Sequence, residues 1–240
     1  MSRKKLKKFA ENEERYNVVQ PGKAFYENCK GNWKKEHFKN DNPIVLELAC
    51  GRGEYTTGLA AHHPDKNFIG VDLKGDRLWY GSNVAEKEGL TNVAFLRCHI
   101  QNLEQYFASN EISEIWIVHP DPRPKDRDAK RRLTHPRFLN IYKNLLEEGG
   151  LMRFKTDSKP LFEYSVETAV RERLFIEDLT FDLYESDLLE EHFGITTRYE
   201  RKFTAEGHMI HYMRFRFDKP LTEEEEKEKV YGEQVDGGHL

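Results

Sequence analysis

The stretch Val45–Ala60, VLELACGRGEYTTGLA, decides the fold. The apolar run Ile44–Leu48 passes without a linker into a turn holding Gly51 and Gly53, and a helical pattern begins at about Glu54 and runs to Ala61. A strand that turns at once into a helix is the repeating step of an α/β sheet protein. Gly51 and Gly53 lack Cβ, tolerate positive φ, and let the backbone approach a ligand closely. The next apolar run, Asn67–Val71, ends at Asp72, twenty-one residues beyond Gly51. At that spacing a carboxylate meets a ribose diol on sheets of this kind.

The turn does not spell a dinucleotide site. Counted from Gly51, the third glycine of GxGxxG falls on Thr56, and no GK[ST] follows to make a phosphate loop. The pattern is ExAxGxG, with Glu47 two residues before Ala49. An acid there suits a ligand bearing an ammonium and a sulfonium, and suits a pyrophosphate poorly; S-adenosylmethionine is such a ligand. A tight strand-to-helix turn with a structural Glu would read the same way. Cys50, inside the turn, reads as a small apolar filler.

Working outward, Val93–Arg97, Ile115–Val118 and Leu151–Lys155 are further strands. Helical patterns fall between the strands at about Asp76–Glu88, Leu103–Phe107 and Pro136–Glu147. Thr134 is expected to cap the last of these, with Pro136 in its first turn and Gly149-Gly150 as its stop. After Thr156 a helix near Pro160–Arg173 precedes two β-like runs, FIEDLTFDL and HMIHYMRFRF. The expectation is a doubly wound, mostly parallel, seven-stranded sheet with an antiparallel terminal strand. Ligands on such sheets bind beyond the carboxyl ends of the strands, at the topological switch point. Residues 1–40 are polar and basic and read as a mobile arm with short helices. Residues 41–218 form the sheet domain, and 219–240 form an acidic, disordered tail.

With 33% charged and 38% hydrophobic residues among 240, the chain has enough apolar material for one core. Its formal net charge of −4 excludes a uniformly basic coat, so a polyanion would have to be met by a local patch. Cys29, Cys50 and Cys98 are odd in number, far apart and without a CxxC pair, which argues against a disulfide framework or a metal site and fits a reducing cytoplasm. The basic start, MSRKKLKKF, lacks the apolar run of a signal peptide. No run approaches the ~18 apolar residues of a membrane span.

The local patch is HPDPRPKDRDAKRRL, His119–Leu133, with six basic side chains, three acids and three prolines. Charge runs are usually solvated faces. Placed after a strand, however, this block resembles the FPDPWPK and KRRL segments of the bacterial tRNA (guanine-N7-)-methyltransferases. ELACGRGE, NFIGVD, FKTD at Phe154–Asp157 and TRYE at Thr197–Glu200 match in the same order, over roughly residues 40–217.

The resemblance implies a Rossmann-like class I methyltransferase fold. It also implies transfer of a methyl group from S-adenosylmethionine to N7 of a tRNA guanosine in the variable loop, without metal, by a monomer or homodimer. Glu47, Asp72 and Asp121 match the family's cofactor-binding acids, beside Gly51 and Gly53. Lys125, Asp157, Thr197, Arg198, Tyr199 and Glu200 match its substrate-contacting positions. The chain departs from the pattern at four places. His99 stands for an Asp at the adenine, His119 for a Phe, Arg123 for a Trp, and Ala49 for the first glycine of the turn, where it is expected to keep negative φ.

The chemistry fits these residues. Guanine N7 has a free lone pair, so no general base is required and the rate should be nearly flat across neutral pH. A carboxylate near the base would stabilise the charge that develops on it. Asp121 and Asp157, at the ends of the fourth and fifth of these strands, are the candidate catalytic residues; Asp157 would otherwise be a helix cap. Prolines 120, 122 and 124 stiffen the strand exit, leaving Lys125, Arg127, Lys130, Arg131 and Arg132 to meet RNA phosphates. The alternatives are an RNA-binding protein that does not turn over, and a methyltransferase for another RNA guanine or a small molecule.

Overall fold

The computed structural model describes residues 3–218; the acidic segment expected over 219–240 lies outside them. Eight strands, β1 (Val18–Val19), β2 (Ile44–Leu48), β3 (Asn67–Val71), β4 (Val93–Leu96), β5 (Ile112–Val118), β6 (Leu146–Thr156), β7 (Phe175–Thr180) and β8 (His211–Arg216), form one sheet. Their order is β1-β4-β3-β2-β5-β6-β8-β7. Neighbours run parallel from β1 through β6, and β8 is antiparallel to both β6 and β7. The direction of winding reverses between β2 and β5, which makes the gap beyond their carboxyl ends the switch point.

Alternation along β2 sorts its side chains. Ile44, Leu46 and Leu48 enter one buried cluster, while Val45 enters the other with Tyr55, Leu59, Leu78 and Ala85. Since successive Cβ atoms point to opposite faces, Glu47 shares the face of Val45, toward the helices α3 (Glu54–His62) and α4 (Gly75–Glu88). The opposite face carries α5 (Pro136–Leu145), α6 (Lys159–Arg171) and a turn of π-helix at Trp33–Phe38.

The amino-terminal region is more ordered than a mobile arm. α1 (Arg3–Glu14) docks on α4: Asn12 donates to the Gly75 carbonyl at 2.7 Å, and Arg15 reaches the Trp79 carbonyl at 3.0 Å and Glu86 at 3.2 Å. α2 (Ala24–Asn28) follows, and Val18–Val19 adds the eighth strand to the edge at β4.

Three local expectations are corrected. Thr134 does not cap α5; its Oγ1 pairs with Ser165 Oγ at 2.7 Å in the interior, and His135 Nδ1 accepts the Arg137 amide at 3.2 Å instead. Gly149-Gly150 does not stop that helix. The helix ends at Leu145, because Leu146 is already paired with Ile112, and β6 runs through both glycines. The segment near Leu103 is a 3-10 turn over Ile100–Gln105. α7 (Arg198–Ala205) opens on a capping box, in which Thr197 accepts the Glu200 amide at 3.0 Å and Glu200 accepts the Thr197 amide at 3.4 Å. At the sheet's far edge, Glu177 and Asp178 of β7 pair with Arg216 and Arg214 of β8.

Candidate active site

At the carboxyl end of β2, Ala49, Gly51 and Gly53 all adopt left-handed φ, of 56°, 58° and 71°. The expectation that Ala49 keeps negative φ fails. The curl from Ala49 to Gly53 that carries the chain into α3 requires the left-handed region there, and an alanine in it costs about 1–2 kcal/mol. Gly53 is doubly constrained, because a Cβ would lie 2.5 Å from the Phe95 ring. Above Gly51 the nearest atom to such a Cβ is the Ala49 carbonyl at 4.0 Å, so the backbone there is open to a ligand.

Two acids converge on this curl. Asp72 is 9% exposed; it accepts the Gly51 amide at 3.1 Å and the Lys74 amide at 2.8 Å. Burial raises its carboxyl above the usual range, with the Lys74 amide working against it. Glu47, 4% exposed, accepts the Thr56 amide at 2.7 Å and the Thr56 hydroxyl. Gly70, paired with Glu47 across the ladder, makes room for that hydroxyl: a Cβ on it would sit 2.7 Å from Thr56 Oγ1. Burial without a cation pushes the Glu47 carboxyl up to about 8. Two buried acids in no salt bridge among the described residues, beside an accessible glycine backbone, fit a cationic ligand, as S-adenosylmethionine is; Arg77 and Lys74 act on Asp72 only through their charge. Cys50 is buried, and its thiol is pushed well above its ordinary value by that burial, as befits a filler. His99 is exposed beyond β4, and neighbouring Gln101 is taken up by Arg137 at 3.2 Å.

Across the switch point the structure assembles a second group. Asp157 does not cap α6; Ser158 does, through the Leu161 amide at 3.4 Å. The carboxylate of Asp157 instead meets His119 Nδ1 at 2.9 Å, while His119 Nε2 lies 3.4 Å from Glu200. Glu200 is fully buried; its other oxygen meets Lys155 Nζ at 2.6 Å and accepts from the Tyr184 hydroxyl at 3.0 Å. Lys155 also donates to Tyr55 at 2.6 Å. As an ammonium has no acceptor, the Tyr55 hydroxyl passes its own hydrogen to His192 Nδ1, at 2.9 Å. Burial opposes ionisation of Asp157 and Glu200, but His119 holds the first below the ordinary value, and His119 with Lys155 holds the second at about 2. Burial and Lys155 push His192 down to about 2, so it stays neutral. A cavity of about 650 Å³ opens beyond Lys155 and Glu200, walled by Tyr184, Asp187, Phe193 and Ile195; it touches none of the acids at the glycine curl.

The remaining sites expected from the sequence are dispersed. The Asp121 side chain is 81% exposed and pairs with Arg123 at 3.0 Å. Lys125, Arg127, Lys130 and Arg131 are exposed, Arg131 with Asp128 at 3.2 Å. Arg132 is not presented to solvent with them: it lies 4.3 Å over the Tyr164 ring and donates to the Arg123 carbonyl. Of the TRYE stretch, Thr197 is buried as the helix cap and the Arg198 amide donates to Glu54 at 3.1 Å, while Tyr199 is 58% exposed. Sequence reasoning missed Lys155, Tyr55, Tyr184 and His192. Only Lys155 left a signal, a cation in an apolar strand that must find a buried acid.

A glycine curl with two acids at the switch point of this sheet defines a methyltransferase of the Rossmann-like class I. The crystal structure of the 16S rRNA methyltransferase KamB superimposes on it with a TM-score of 0.60 at 14% identity, covering 79% of this chain and 94% of that one. Residues 41–213 match the family described as "Putative methyltransferase". The tRNA (guanine-N(7)-)-methyltransferase of Cytophaga hutchinsonii is 51% identical over 219 residues, covering 90% of this chain and 99% of that protein. The enzyme of the same name from Bacteroides fragilis is 44% identical, covering 90% and 86%. The chain belongs to the tRNA (guanine-N(7)-)-methyltransferase family.

Proposed function

We propose that the protein methylates N7 of a guanosine in the variable loop of tRNA, in the cytoplasm, using S-adenosylmethionine. The observation that carries this reading is the pair of acid sets on either side of one switch point, at the carboxyl ends of β2 and β3 and of β6, in a member of this family. Glu47 and Asp72 hold the cofactor, whose ammonium offsets the burial cost of the acids and whose ribose hydroxyls donate to Asp72. When bound, S-adenosylmethionine supplies an electrophilic methyl group.

Asp157 keeps one carboxylate oxygen free of His119. That oxygen accepts from the Watson–Crick edge of guanine, which adenine, with a different donor pattern, does not match. It also stabilises the positive charge that the base acquires. N7 has no proton to lose, so alignment of the two reactants does most of the work, worth up to ~7–11 kcal/mol. Tyr199, largely exposed, offers a stacking face. Lys125, Arg127, Lys130 and Arg131 meet the phosphates. Asp121, as it stands with Arg123, is a candidate that has to turn inward on binding.

Nucleoside mass spectrometry of tRNA incubated with the protein and S-adenosylmethionine tests the reading. N7-methylguanosine is the expected product; a methyl group on another atom, or none, overturns it.

A further inference from the structure

His119 occupies a position that neither the cofactor nor the substrate pattern assigns. Its amide donates to the Lys155 carbonyl at 2.9 Å, continuing the β5–β6 ladder by one residue, and its left-handed φ of 46° turns the side chain inward. The ring is 5% exposed and lies between Asp157, at the end of β6, and Glu200, in the first turn of α7. Each ring nitrogen faces a carboxylate, at 2.9 and 3.4 Å. A neutral imidazole has one N–H, so both contacts are hydrogen bonds only in the imidazolium.

We propose that His119 is a positioning residue: its cationic ring clamps Asp157 to Glu200, and guanosine turnover is fastest while the clamp is closed at both ends. The proposal rests on the function proposed above.

The surroundings agree with a ring held toward its protonated form. Burial pushes it toward the neutral form, Asp157 and Glu200 outweigh burial and raise its pKa above the ordinary value, and Lys155 on β6 opposes them. Tyr55 on α3, Tyr184 before the 187–192 turn and His192 within that turn complete the charged and titratable groups around Glu200 and Lys155. His208, beyond α7, acts on Asp157 through its charge. When the ring loses its proton, the shorter contact keeps the remaining hydrogen on Nδ1. Asp157 stays held and Glu200 is released from one donor, retaining Lys155 and Tyr184. The clamp is therefore complete below the raised pKa and open at one end above it. A base in the chemical step would give the opposite trend, a rate that climbs with pH.

The test is the pH profile of single-turnover kcat/KM for tRNA, pH 5.5–9, with S-adenosylmethionine saturating. Where the chemistry of N7 alone predicts a nearly flat profile, the clamp predicts for the parent protein a fall of roughly tenfold, about one hydrogen bond to a charged group, from a plateau below the raised pKa to a second plateau above it. His119→Asn places an amide near Nδ1 and keeps the Asp157 bond alone; it should be flat at the parent's upper-pH level. His119→Gln places its amide near Nε2, loses Asp157, and should be flat and lower still. S-adenosylmethionine affinity, measured by calorimetry on each variant, should not change, and a fold disturbed by substitution would show there. A limb that persists in His119→Asn, or a His119→Gln variant equal to the parent, overturns the clamp. Absence of N7-methylguanosine from the parent at every pH overturns the proposed function instead.

Discussion

Two residues at the glycine curl show how much an atom's surroundings decide. Ala49 sits at φ 56°, a conformation that costs an alanine about 1–2 kcal/mol and a glycine almost nothing. Ala49→Gly should therefore stabilise the fold by ~1 kcal/mol after the greater chain entropy of glycine is subtracted, raising Tm by about 2–4 °C. An unchanged or lower Tm would show that the Ala49 methyl packs well enough to offset the strain. Glu47, with its carboxyl pushed to about 8, is largely protonated at pH 7 in the free protein. A cationic ligand binds its ionised form, so binding at pH 7 releases a proton, and affinity strengthens as pH rises toward 8. Calorimetry in buffers of different ionisation enthalpy should report about one proton released, and none in Glu47→Gln.

Among the elements, the loop after β5 divides its cations between two tasks. Lys125, Arg127 and Lys130 are exposed and can meet an anion, as can Arg131 on exchanging its Asp128 partner, whereas Arg132 is spent on the Tyr164 ring and the Arg123 carbonyl. Arg132→Ala should cost about 1 kcal/mol of stability, the scale of one cation–π contact with a hydrogen bond, and a melting curve checks it. Lys130→Ala, at an exposed position without such contacts, should leave the melting curve unmoved. The strands were readable beforehand wherever an apolar run was long and the turn chemistry distinct, as at Ile44–Leu48 and Asn67–Val71. Val18–Val19 was not, because two residues carry no periodicity. Nor was the end of α5 readable, because the pairing of Leu146 with Ile112 overrides two glycines. The acid pair at the curl was legible because Glu47 and Asp72 lie at fixed spacings from the turn. The network around Glu200 was not: its contacts join residues from 3 to 137 positions apart, and only the fold brings them together.

At the scale of the whole molecule, a net charge of −4 and a cationic loop predict that binding to tRNA is local and sensitive to salt. The logarithm of affinity should fall linearly with the logarithm of salt concentration, by about 0.7–0.9 per phosphate met. Lys125, Lys130 and Arg131 changed together to Ala should flatten that slope while leaving S-adenosylmethionine affinity alone; a slope unchanged by the triple substitution would make the loop a solvated face. The two ends of the sheet bear on a different matter, the tendency of chains to grow onto one another. One end stops at a strand of two residues, too short to template a newcomer. At the other, a strand adding to β7 would lie beside the exposed Phe175 and Leu179 as well as Glu177 and Asp178, whose charges are already matched by Arg216 and Arg214, so charged side chains alone guard that edge. Growth on the native molecule is thus discouraged by length at one end and by the charges of Glu177 and Asp178 at the other, and light scattering during heating should rise with the melting transition, not ahead of it; scattering ahead of it would mark the β7 edge as the weaker guard.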